Sequence, residues 1–280
     1  MRPLTAAIIQ ARMTSSRLPG KVMQDLAGEP MLVRVVERVR RAQRLDQVVV
    51  ATTLDPTDDP LAELCQQRGI ACFRGNMHDV LDRYYQTACM VKAEVIVRVT
   101  ADCPLIDPQL IDHTVGVFLE PEANVLCRTN ISVSPLPVDQ RFPFDFVANR
   151  FPPPWQRTYP IGLDTEVCSF LALERAWKEA VQKHQREHVM PYLYDDIGIA
   201  FDQPSRFRVC RVDHIKDYGK LRWTVDTPPD LELVRLIFAR FAGRIDFSWL
   251  EVLGLYENEP ELAQVNSGTL HKTAFDIDTR

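Results

Sequence analysis

The sequence predicts an α/β fold in which a doubly wound, mostly parallel sheet is covered by helices. Three observations support this prediction: short apolar runs rich in β-branched residues, longer amphipathic stretches between them, and the regular alternation of the two through the first half of the chain. Strands of a parallel sheet are buried on both faces and therefore appear as nearly continuous apolar runs. Their alternation with helical patterns is typical of a parallel sheet with helices on both sides.

The first half of the chain contains five predicted strands and four predicted helices. In open sheets of this kind, ligands bind beyond the carboxyl ends of the strands. Polar residues that directly follow a strand are therefore the first candidates for a functional site. The strands are LTAAIIQ (4–10), QVVVATT (47–53), IACFRG (70–75), EVIVRVT (94–100) and ANVLCR (123–128), and the helices cover about 30–42, 59–68, 78–91 and 108–119.

Residues 129–162 contain seven prolines and break this alternation. Proline has no N–H for a sheet ladder and biases the preceding residue away from helix, so we interpret the segment as an inserted arm. We predict a single domain over residues 1–256 and a polar tail over 257–280. After the arm we predict strands at LDTEVCS (163–169), FRVCRVD (207–213) and LRWTVDT (221–227), and helices at SFLALERAWKEAVQ (169–182), REHVMPYLYDD (186–196) and about 229–241.

The composition excludes several functional classes. A formal net charge of -5 and a pI of about 5.7 argue against a general nucleic-acid-binding protein, which would show a basic surface. No apolar stretch approaches the roughly 18 residues of a membrane span, and no secretory leader follows Met1, so we expect no membrane insertion. The seven cysteines form no CxxC pair and lie in apolar runs, which indicates reduced thiols. We therefore expect a cytoplasmic protein.

A basic loop follows the first predicted strand. In ARMTSSRLPGK (11–21), Arg12, Arg17 and Lys21 alternate with hydroxyl residues and Gly20. Backbone N–H groups, hydroxyls and cations in one loop can bind a polyphosphate. The loop is not a Walker A motif, and the chain has no GxGxxG. The alternative is a solvated basic loop without a ligand.

Two aspartates follow other predicted strands. Asp102 lies in VTADCPLIDP (99–108) and Asp226 in RWTVDTPPDLEL (222–233). Each alone is equally well explained as a turn former or helix cap. Together they could meet at the carboxyl edge of the sheet and bind one Mg²⁺, an ion that typically takes one or two carboxylates plus waters and substrate phosphates. With the basic loop beside them, they would form a nucleoside triphosphate site.

The stretch HQREH (184–188) matches the H-x-x-E-H zinc motif through His184, Glu187 and His188. A zinc hydrolase would need a sustained helix and a further ligand, whereas Pro191 follows closely. We interpret Arg186, Glu187 and His188 instead as substrate contacts or helix-start residues.

Six stretches between residues 6 and 240 form one ordered pattern: IIQARMTSSRLPGKVM, FRGNMHDVLDRYY, VIVRVTADCPLIDP, TYPIGLDTEV, REHVMPYLY and WTVDTPPDLELV. This pattern resembles the cytidylyltransferases that activate acidic sugars, the acylneuraminate and 3-deoxy-manno-octulosonate cytidylyltransferases, and most of all the branch of the spore coat polysaccharide biosynthesis protein SpsF. The resemblance implies the nucleotide-diphospho-sugar transferase (GT-A-like) fold, CTP and a small acidic sugar as substrates, Mg²⁺ as cofactor, and a homodimer to which the arm contributes.

The resemblance also implies roles for individual residues. Residues implied to act on the triphosphate and the metal are Arg12, Arg17 and Lys21 for the phosphates and Asp102 and Asp226 for Mg²⁺. Residues implied to face the base are Gln10, Ala11, Arg74 and Gly75, with Asn76, Asp79 and Arg83 beside them. Residues implied to line the sugar side are Tyr159, Glu166, Arg186 and His188.

The sequence therefore predicts transfer of CMP from CTP to a sugar hydroxyl with release of pyrophosphate. Arg12, Lys21, Asp102 and Asp226 are the candidate catalytic residues. Two rival enzymes are a sugar-1-phosphate nucleotidyltransferase, which would have a more glycine-rich first loop, and a glycosyltransferase, which would usually carry a DxD pair. A non-catalytic nucleotide-binding protein of a polysaccharide pathway is the alternative from a different class.

Overall fold

A mixed, mostly parallel sheet occupies the centre of the computed structural model, which describes residues 2–120 and 126–269. In the described residues its strands are β1 (Thr5–Gln10), β4 (Gln47–Thr53), β5 (Ala71–Gly75), β6 (Val95–Thr100), β7 (Cys127–Thr129), β8 (Phe146–Ala148), β9 (Glu166–Ser169) and β10 (Val209–Val212), and a separate hairpin pairs β2 (Asp25–Leu26) with β3 (Glu29–Pro30).

Helices cover both faces of this sheet. They are α1 (Met31–Val39), α2 (Asp59–Gln67), α3 (Val80–Val91), α4 (Pro108–Leu119), α5 (Phe170–Glu179), α6 (Lys183–His188), α7 (Pro228–Arg240) and α8 (Trp249–Asn258). None of the helices in the described ranges combines the length and apolarity that a membrane crossing needs.

The strand order is β5-β4-β1-β6-β9-β8-β10-β7. β5, β4, β1 and β6 run parallel, β9 is antiparallel to both β6 and β8, β10 runs parallel to β8, and β7 closes the edge antiparallel to β10. The parallel half brings the carboxyl ends of β1, β4 and β6 to one edge, which is where ligands bind in open α/β sheets.

Side-chain alternation along β1 divides the core into two layers. Ala7 and Ile9 pack into one apolar cluster, and Ala6 and Ile8 pack into the other on the opposite face. Such two-sided burial explains why the β1 sequence is almost continuously apolar. The polar residues that follow β1 therefore lie beyond the edge of both apolar layers.

The predicted fold class is confirmed, and most predicted elements are found within a few residues of the predicted bounds. β4 covers 47–53 as predicted, and β1, β5, β6, β9 and β10 fall within the predicted strands. Part of the predicted strand 123–128 lies outside the described residues, since these resume at 126 and β7 begins at Cys127.

The predicted strand 221–227 is wrong. Residues 221–227 form no strand; a single bridge joins Arg222 to Ile161, and the Trp223 N–H donates to the Ile161 carbonyl at 2.7 Å. The apolar alternation reflects burial, because Trp223 and Val225 are fully buried without a continuous ladder. The predicted helix at 186–196 is also displaced: α6 ends at His188, and a 3-10 turn covers Pro191–Leu193.

Sequence reasoning missed β8 and α8. β8 is three residues long and lies inside the proline-rich segment, so this segment supplies a strand between β9 and β10. Beyond α8, the described part of the predicted tail packs onto the domain: Leu262 is buried in the core, and the Asn266 amide donates to the Arg222 carbonyl and the Asp230 carboxylate.

Gly162 is a backbone position that only glycine fits. Its φ is +106°, and a Cβ there would lie 2.6 Å from the Thr224 backbone N and 2.7 Å from the Trp223 carbonyl carbon. We expect Gly162→Ala to lower the free energy of unfolding by about 2–4 kcal/mol, because it combines a strained φ with a backbone clash. Urea unfolding followed by circular dichroism measures this loss. Gly254→Ala in α8, where an added Cβ would point into open space, is the control and should be neutral or stabilising by up to about 1 kcal/mol. Equal midpoints for wild type and Gly162→Ala would contradict the expectation.

Candidate active site

A cleft of about 390 Å³ opens at the carboxyl edge of the parallel strands. Gln10 ends β1 and Thr100 ends β6, and both line the cleft, as do residues of the segment 150–161 from the other side. The polar residues that follow β1 and β6 therefore face one shared space, as ligand sites in open α/β sheets do.

The loop after β1 is held in shape by its own backbone and by one buried carboxylate. The Gly20 N–H donates to the Met13 carbonyl at 2.9 Å, and the Met13 N–H donates to the Asp58 carboxylate at 2.6 Å. Gly20 has a φ of 68°, which glycine adopts without strain, and Lys21 directly begins a 3-10 turn. Arg12, Arg17 and Lys21 from this loop all line the cleft.

Lys21 joins the two aspartates. Its Nζ donates to Asp102 Oδ2 at 2.9 Å, to Asp226 Oδ1 at 2.8 Å and to the Val225 carbonyl at 2.8 Å. The two carboxylates, although 124 positions apart in the sequence, thus contact the same ammonium group. The sequence-based expectation that they meet at one edge of the sheet agrees with this geometry.

Backbone contacts hold the two aspartate-bearing loops together. The Val225 N–H donates to the Asp102 carbonyl at 2.8 Å, and the Thr224 hydroxyl donates to the same carbonyl at 3.1 Å. The Thr100 hydroxyl donates to Asp102 Oδ1 at 2.5 Å and orients that carboxylate. The position of Asp102 is therefore fixed from both its main chain and its side chain.

Asp226 is surrounded by cations. Besides Lys21, Arg17 contacts its Oδ2 at 2.9 Å and Arg222 contacts the same oxygen at 2.8 Å. Arg222 is itself held by the fully buried Asp230, at 2.9 Å from Arg222 Nε. Asp230 also accepts N–H bonds at the start of α7 and forms a capping box with Thr227. The start of α7 and the site are thus one hydrogen-bonded unit.

The charges in this cluster stabilise one another. Burial alone would raise the pKa of Asp102, but Lys21 and Thr100 outweigh burial and lower the pKa to about 2. Burial opposes the charge of Lys21 in the same way, and the two aspartates raise its pKa above the usual 10.5. Asp102 and Lys21 are therefore both ionised at neutral pH.

The donor set fits Mg²⁺ if a substrate completes the coordination. Two carboxylates, Asp102 and Asp226, face one point, and Mg²⁺ commonly takes one or two protein carboxylates together with phosphate oxygens and water. Within the described residues, no group of three or more His, Cys, Asp or Glu side chains is arranged to bind a metal ion. Asp102 and Asp226 are the residues that would hold Mg²⁺ beside a bound triphosphate.

A second group of charges lines the opposite part of the cleft. Arg98 from β6 pairs with Glu166 from β9, while Arg150 and Arg157 both contact Asp164, at 3.2 and 2.7 Å. Burial lowers the pKa of Arg157, and its Nη1 is buried without a hydrogen-bond partner. A buried guanidinium nitrogen without an acceptor is costly, and an anionic ligand would supply that acceptor.

An aromatic wall stands beside these arginines. Phe151, Trp155 and Tyr194 line the cleft together with Pro152 and Pro153. The Phe151 and Tyr194 rings meet edge to face at 5.1 Å, and Trp155 lies 6.0 Å from each of them. This wall reduces water access at the arginine end, which strengthens charge interactions there.

Of the thirteen residues assigned to catalysis, nucleotide, metal or sugar, the structure places nine on the cleft and four elsewhere; Arg83 and Glu187 also line the cleft. Gln10, Ala11, Arg12, Arg17, Lys21, Asp102, Glu166, His188 and Asp226 line it. The other four are not among the lining residues: Arg74 binds the Thr53 carbonyl and Asp59, Gly75 packs beneath Arg83, Tyr159 contacts His214 and Trp249, and Arg186 binds Asp79 and the Trp177 carbonyl.

Two details qualify the predicted roles. The Ala11 N–H already donates to the Ala51 carbonyl at 3.1 Å, so it serves the sheet. In the HQREH stretch, His184 Nε2 lies 2.8 Å from Asp195 Oδ2, and His188 faces the cleft. The histidines of this zinc-like motif are thus placed by other contacts, and α6 ends at His188 itself.

Sequence reasoning missed several lining residues. Arg98 lies inside a predicted apolar strand, and Arg150, Arg157 and Trp155 lie in the proline-rich segment. A charged residue within a buried strand is a signal that could have identified Arg98, since such charges are normally paired. No periodic pattern marks the others.

Comparison with known proteins identifies the family. The sequence pattern of the cytidylyltransferase family matches residues 6–265. The chain belongs to the cytidylyltransferase family. Its relative SpsF, the spore coat polysaccharide biosynthesis protein of Bacillus subtilis, is 30% identical over 265 residues, which cover 91% of this chain and 95% of SpsF.

Two further members show how far the likeness extends. The structure of a cytidylyltransferase from Leptospira borgpetersenii superposes with a TM-score of 0.75 at 27% identity, covering 96% of this chain and 99% of that one. The 3-deoxy-manno-octulosonate cytidylyltransferase of Geobacter sulfurreducens is 39% identical over 116 residues, 41% of this chain and 45% of that protein. This chain and the Leptospira cytidylyltransferase therefore share one fold over nearly their whole lengths.

Asp230 gives a test of the charge cluster. Burial would raise its pKa, but Arg222 and Asn266 outweigh burial and lower the pKa below 3.8. The stability it contributes is therefore present above about pH 4 and is lost as pH falls through the lowered pKa. We expect Asp230→Asn to cost about 3 kcal/mol at pH 7, because it removes the buried carboxylate that pairs with Arg222 Nε and leaves Asp226 as the remaining acidic partner of this arginine in the cluster.

Urea unfolding of Asp230→Asn and wild type at pH 7, 5 and 3 measures this effect. The difference should persist at pH 7 and 5 and shrink at pH 3. Glu232→Gln, an exposed carboxylate on the same helix, is the matched control and should change stability by less than about 0.5 kcal/mol. A constant difference across the three pH values would contradict the charge explanation.

Proposed function

We propose that the chain transfers CMP from CTP to a hydroxyl group of an acidic sugar and releases pyrophosphate, with Mg²⁺ as cofactor. The observation that carries this proposal is the meeting of Lys21, Asp102 and Asp226 beside the basic loop at the carboxyl edge of the sheet. Membership of the cytidylyltransferase family supports CTP as the nucleotide. The names of SpsF and of the octulosonate enzyme support an acidic sugar acceptor and a polysaccharide pathway.

In the proposed reaction, the sugar hydroxyl oxygen attacks the α-phosphorus of CTP. The bond from that phosphorus to the bridging oxygen breaks, the sugar–phosphorus bond forms, pyrophosphate leaves, and the hydroxyl proton passes to solvent. Such a transfer requires mainly that the attacking and leaving oxygens are in line and that charge is neutralised. When bound, Mg²⁺ would neutralise phosphate oxygens and polarise the phosphorus.

The residues of the chain divide this work. Arg12, Arg17 and Lys21 would bind the β- and γ-phosphates and stabilise the leaving pyrophosphate. Asp102 and Asp226 would hold the metal ion against the same phosphates. The backbone around Gln10, which lines the cleft, would face the base.

The arginine end of the cleft supports an acidic acceptor. The three arginines Arg98, Arg150 and Arg157 are paired with two carboxylates, Glu166 and Asp164, and Arg157 Nη1 is buried without an acceptor. A sugar carboxylate would supply the missing acceptor and charge. The aromatic wall would exclude water from this contact, and it would also protect the activated phosphorus from hydrolysis.

The first test concerns the metal ligands. We expect Asp102→Asn to lower the rate of pyrophosphate release from CTP and acidic sugars by about 10²–10³, because the metal ion loses one of its two carboxylates. A coupled pyrophosphate assay over a panel of 2-keto sugar acids, with CTP, UTP, ATP and GTP in turn, measures this. Asp246→Asn removes an exposed carboxylate that pairs with Arg244 away from the cleft, and it should leave the rate unchanged.

Two outcomes would contradict the proposal. Near-normal Mg²⁺-dependent turnover in Asp102→Asn would exclude the metal assignment. Binding of CTP without pyrophosphate release for any acceptor would favour a non-catalytic nucleotide-binding protein.

The second test concerns the acceptor carboxylate. We expect Arg157→Gln to raise the KM for the acidic sugar about 10–100-fold and to leave the KM for CTP unchanged, since a hydrogen bond between charged groups is worth about 1.5–3 kcal/mol. Steady-state kinetics with each substrate varied in turn measures this. Arg240→Gln, which removes an exposed guanidinium paired with Glu259 away from the cleft, is the matched control. An equal rise in both KM values would show that Arg157 acts only on the stability of the cleft.

A further inference from the structure

Lys21 occupies the space between the two carboxylates that would bind the metal ion. Its side chain is only 10% exposed. An ammonium group has three N–H donors, and all three are used, on Asp102 Oδ2, Asp226 Oδ1 and the Val225 carbonyl, at 2.8–2.9 Å. The ammonium is therefore fully bonded and lies where a cation shared by Asp102 and Asp226 would lie.

The remaining carboxylate oxygens are also engaged. Asp226 Oδ2 accepts from Arg17 at 2.9 Å and from Arg222 at 2.8 Å, and Asp102 Oδ1 accepts from Thr100 at 2.5 Å. With Asp230 behind Arg222, the cluster contains three carboxylates and three cationic side chains. Its charges balance, so it does not offer a divalent cation the excess negative charge that metal sites normally provide.

We propose that Lys21 closes the metal site of the free protein, and that a triphosphate opens it by drawing the Lys21 ammonium onto its own oxygens, so that metal ion and nucleotide bind together. The inference deepens the proposed function, because it concerns the order of binding at the same site. It requires no residue beyond those in contact in the structure.

The physical reason is a competition for the same oxygens. Mg²⁺ binds carboxylate oxygens at about 2.0–2.1 Å, so the ion and the ammonium cannot both lie between Asp102 and Asp226. A metal ion arriving alone would have to expel Lys21 into a partly buried space without a partner, and an unpaired buried charge is costly. Phosphate oxygens remove that cost, since they offer the ammonium a new anionic partner within the same cleft.

The coupling must be reciprocal. If the triphosphate raises the affinity for the metal ion, the metal ion raises the affinity for the triphosphate by the same factor. Removal of Lys21 should therefore uncouple the two: the metal site becomes open in the absence of nucleotide. This effect on metal binding alone distinguishes a blocking role from a role in phosphate binding only.

The test is Mn²⁺ binding to the full chain without nucleotide, with electron paramagnetic resonance of the unbound ion as the readout. We expect Lys21→Met to bind Mn²⁺ at least tenfold more tightly than the wild type. The gain should disappear in the double variant Lys21→Met/Asp102→Asn. Lys178→Met removes the same charge from an exposed ion pair with Glu174 on α5, and it should bind Mn²⁺ as the wild type does.

A second measurement covers the case in which Lys21→Met fails to fold. In the absence of nucleotide, the single variant Asp102→Asn should bind Mn²⁺ with the same affinity as the wild type, since Lys21 already occupies the Asp102 carboxylate in the wild type. A tenfold loss on Asp102→Asn would overturn the proposal, because it would show an open site beside Lys21. Equal Mn²⁺ affinities of folded Lys21→Met and wild type would overturn it as well.

These outcomes are independent of turnover. A chain that releases no pyrophosphate from CTP can still show the gain in Lys21→Met, in which case only the proposed function fails. Conversely, an active enzyme with no gain in Lys21→Met retains the proposed function and loses the blocking role.

Discussion

The contact of Lys21 with Asp102 and Asp226 holds the site together. It joins the loop after β1, the loop after β6 and the segment before α7, three parts of the chain that are far apart in the sequence. Charged groups this deeply placed are tolerated only when they are paired and hydrogen-bonded. Arg17, Arg222 and Asp230 extend the pairing from Asp226 to the start of α7, so the arrangement of this end of the cleft follows from one balanced set of charges.

The two ends of the cleft differ in whether their charged groups are fully paired. At the end formed by the basic loop, whose backbone is closed by the Gly20–Met13 hydrogen bond, Arg17 and Lys21 are paired with aspartates. At the other end, Arg157 keeps a buried nitrogen without an acceptor. The cleft therefore has one end that is balanced without a ligand and one that is incomplete without an anion. A substrate pair made of a triphosphate and a sugar acid fits this division, because each anion meets its own group of cations.

The sequence predictions succeeded where residues close together in the chain determine the structure. β1 and β4 were predicted well because burial on both faces of a parallel strand leaves a continuous apolar run. Asp102 and the basic loop with Lys21 were recognised as candidates because they follow β6 and β1, and Asp226 because it ends an apolar run that was predicted to be a strand. The strand predicted at 221–227 is wrong, because the apolar alternation at Trp223 and Val225 arises from burial of these side chains without strand pairing. Arg150, Arg157 and Trp155 could not be placed, because their proximity depends on how a proline-rich segment folds across the sheet.

The negative net charge of the chain is compatible with the anionic substrates of the proposed function. At physiological ionic strength, charges separated by more than about 8 Å in solvent are largely screened, so the net charge of -5 has little effect inside a cleft. What matters there is the local set of Arg12, Arg17 and Lys21 at low dielectric, where each contact is stronger than in water. Because Arg17 and Lys21 are paired with Asp226 before any ligand binds, a polyphosphate would gain contacts to these two cations only by replacing the aspartate as their partner. When Arg17 and Lys21 move to the ligand, the carboxylates lose their cationic partners. A polyphosphate with a bound divalent cation is therefore favoured over the free anion, because the divalent cation can bind these carboxylates.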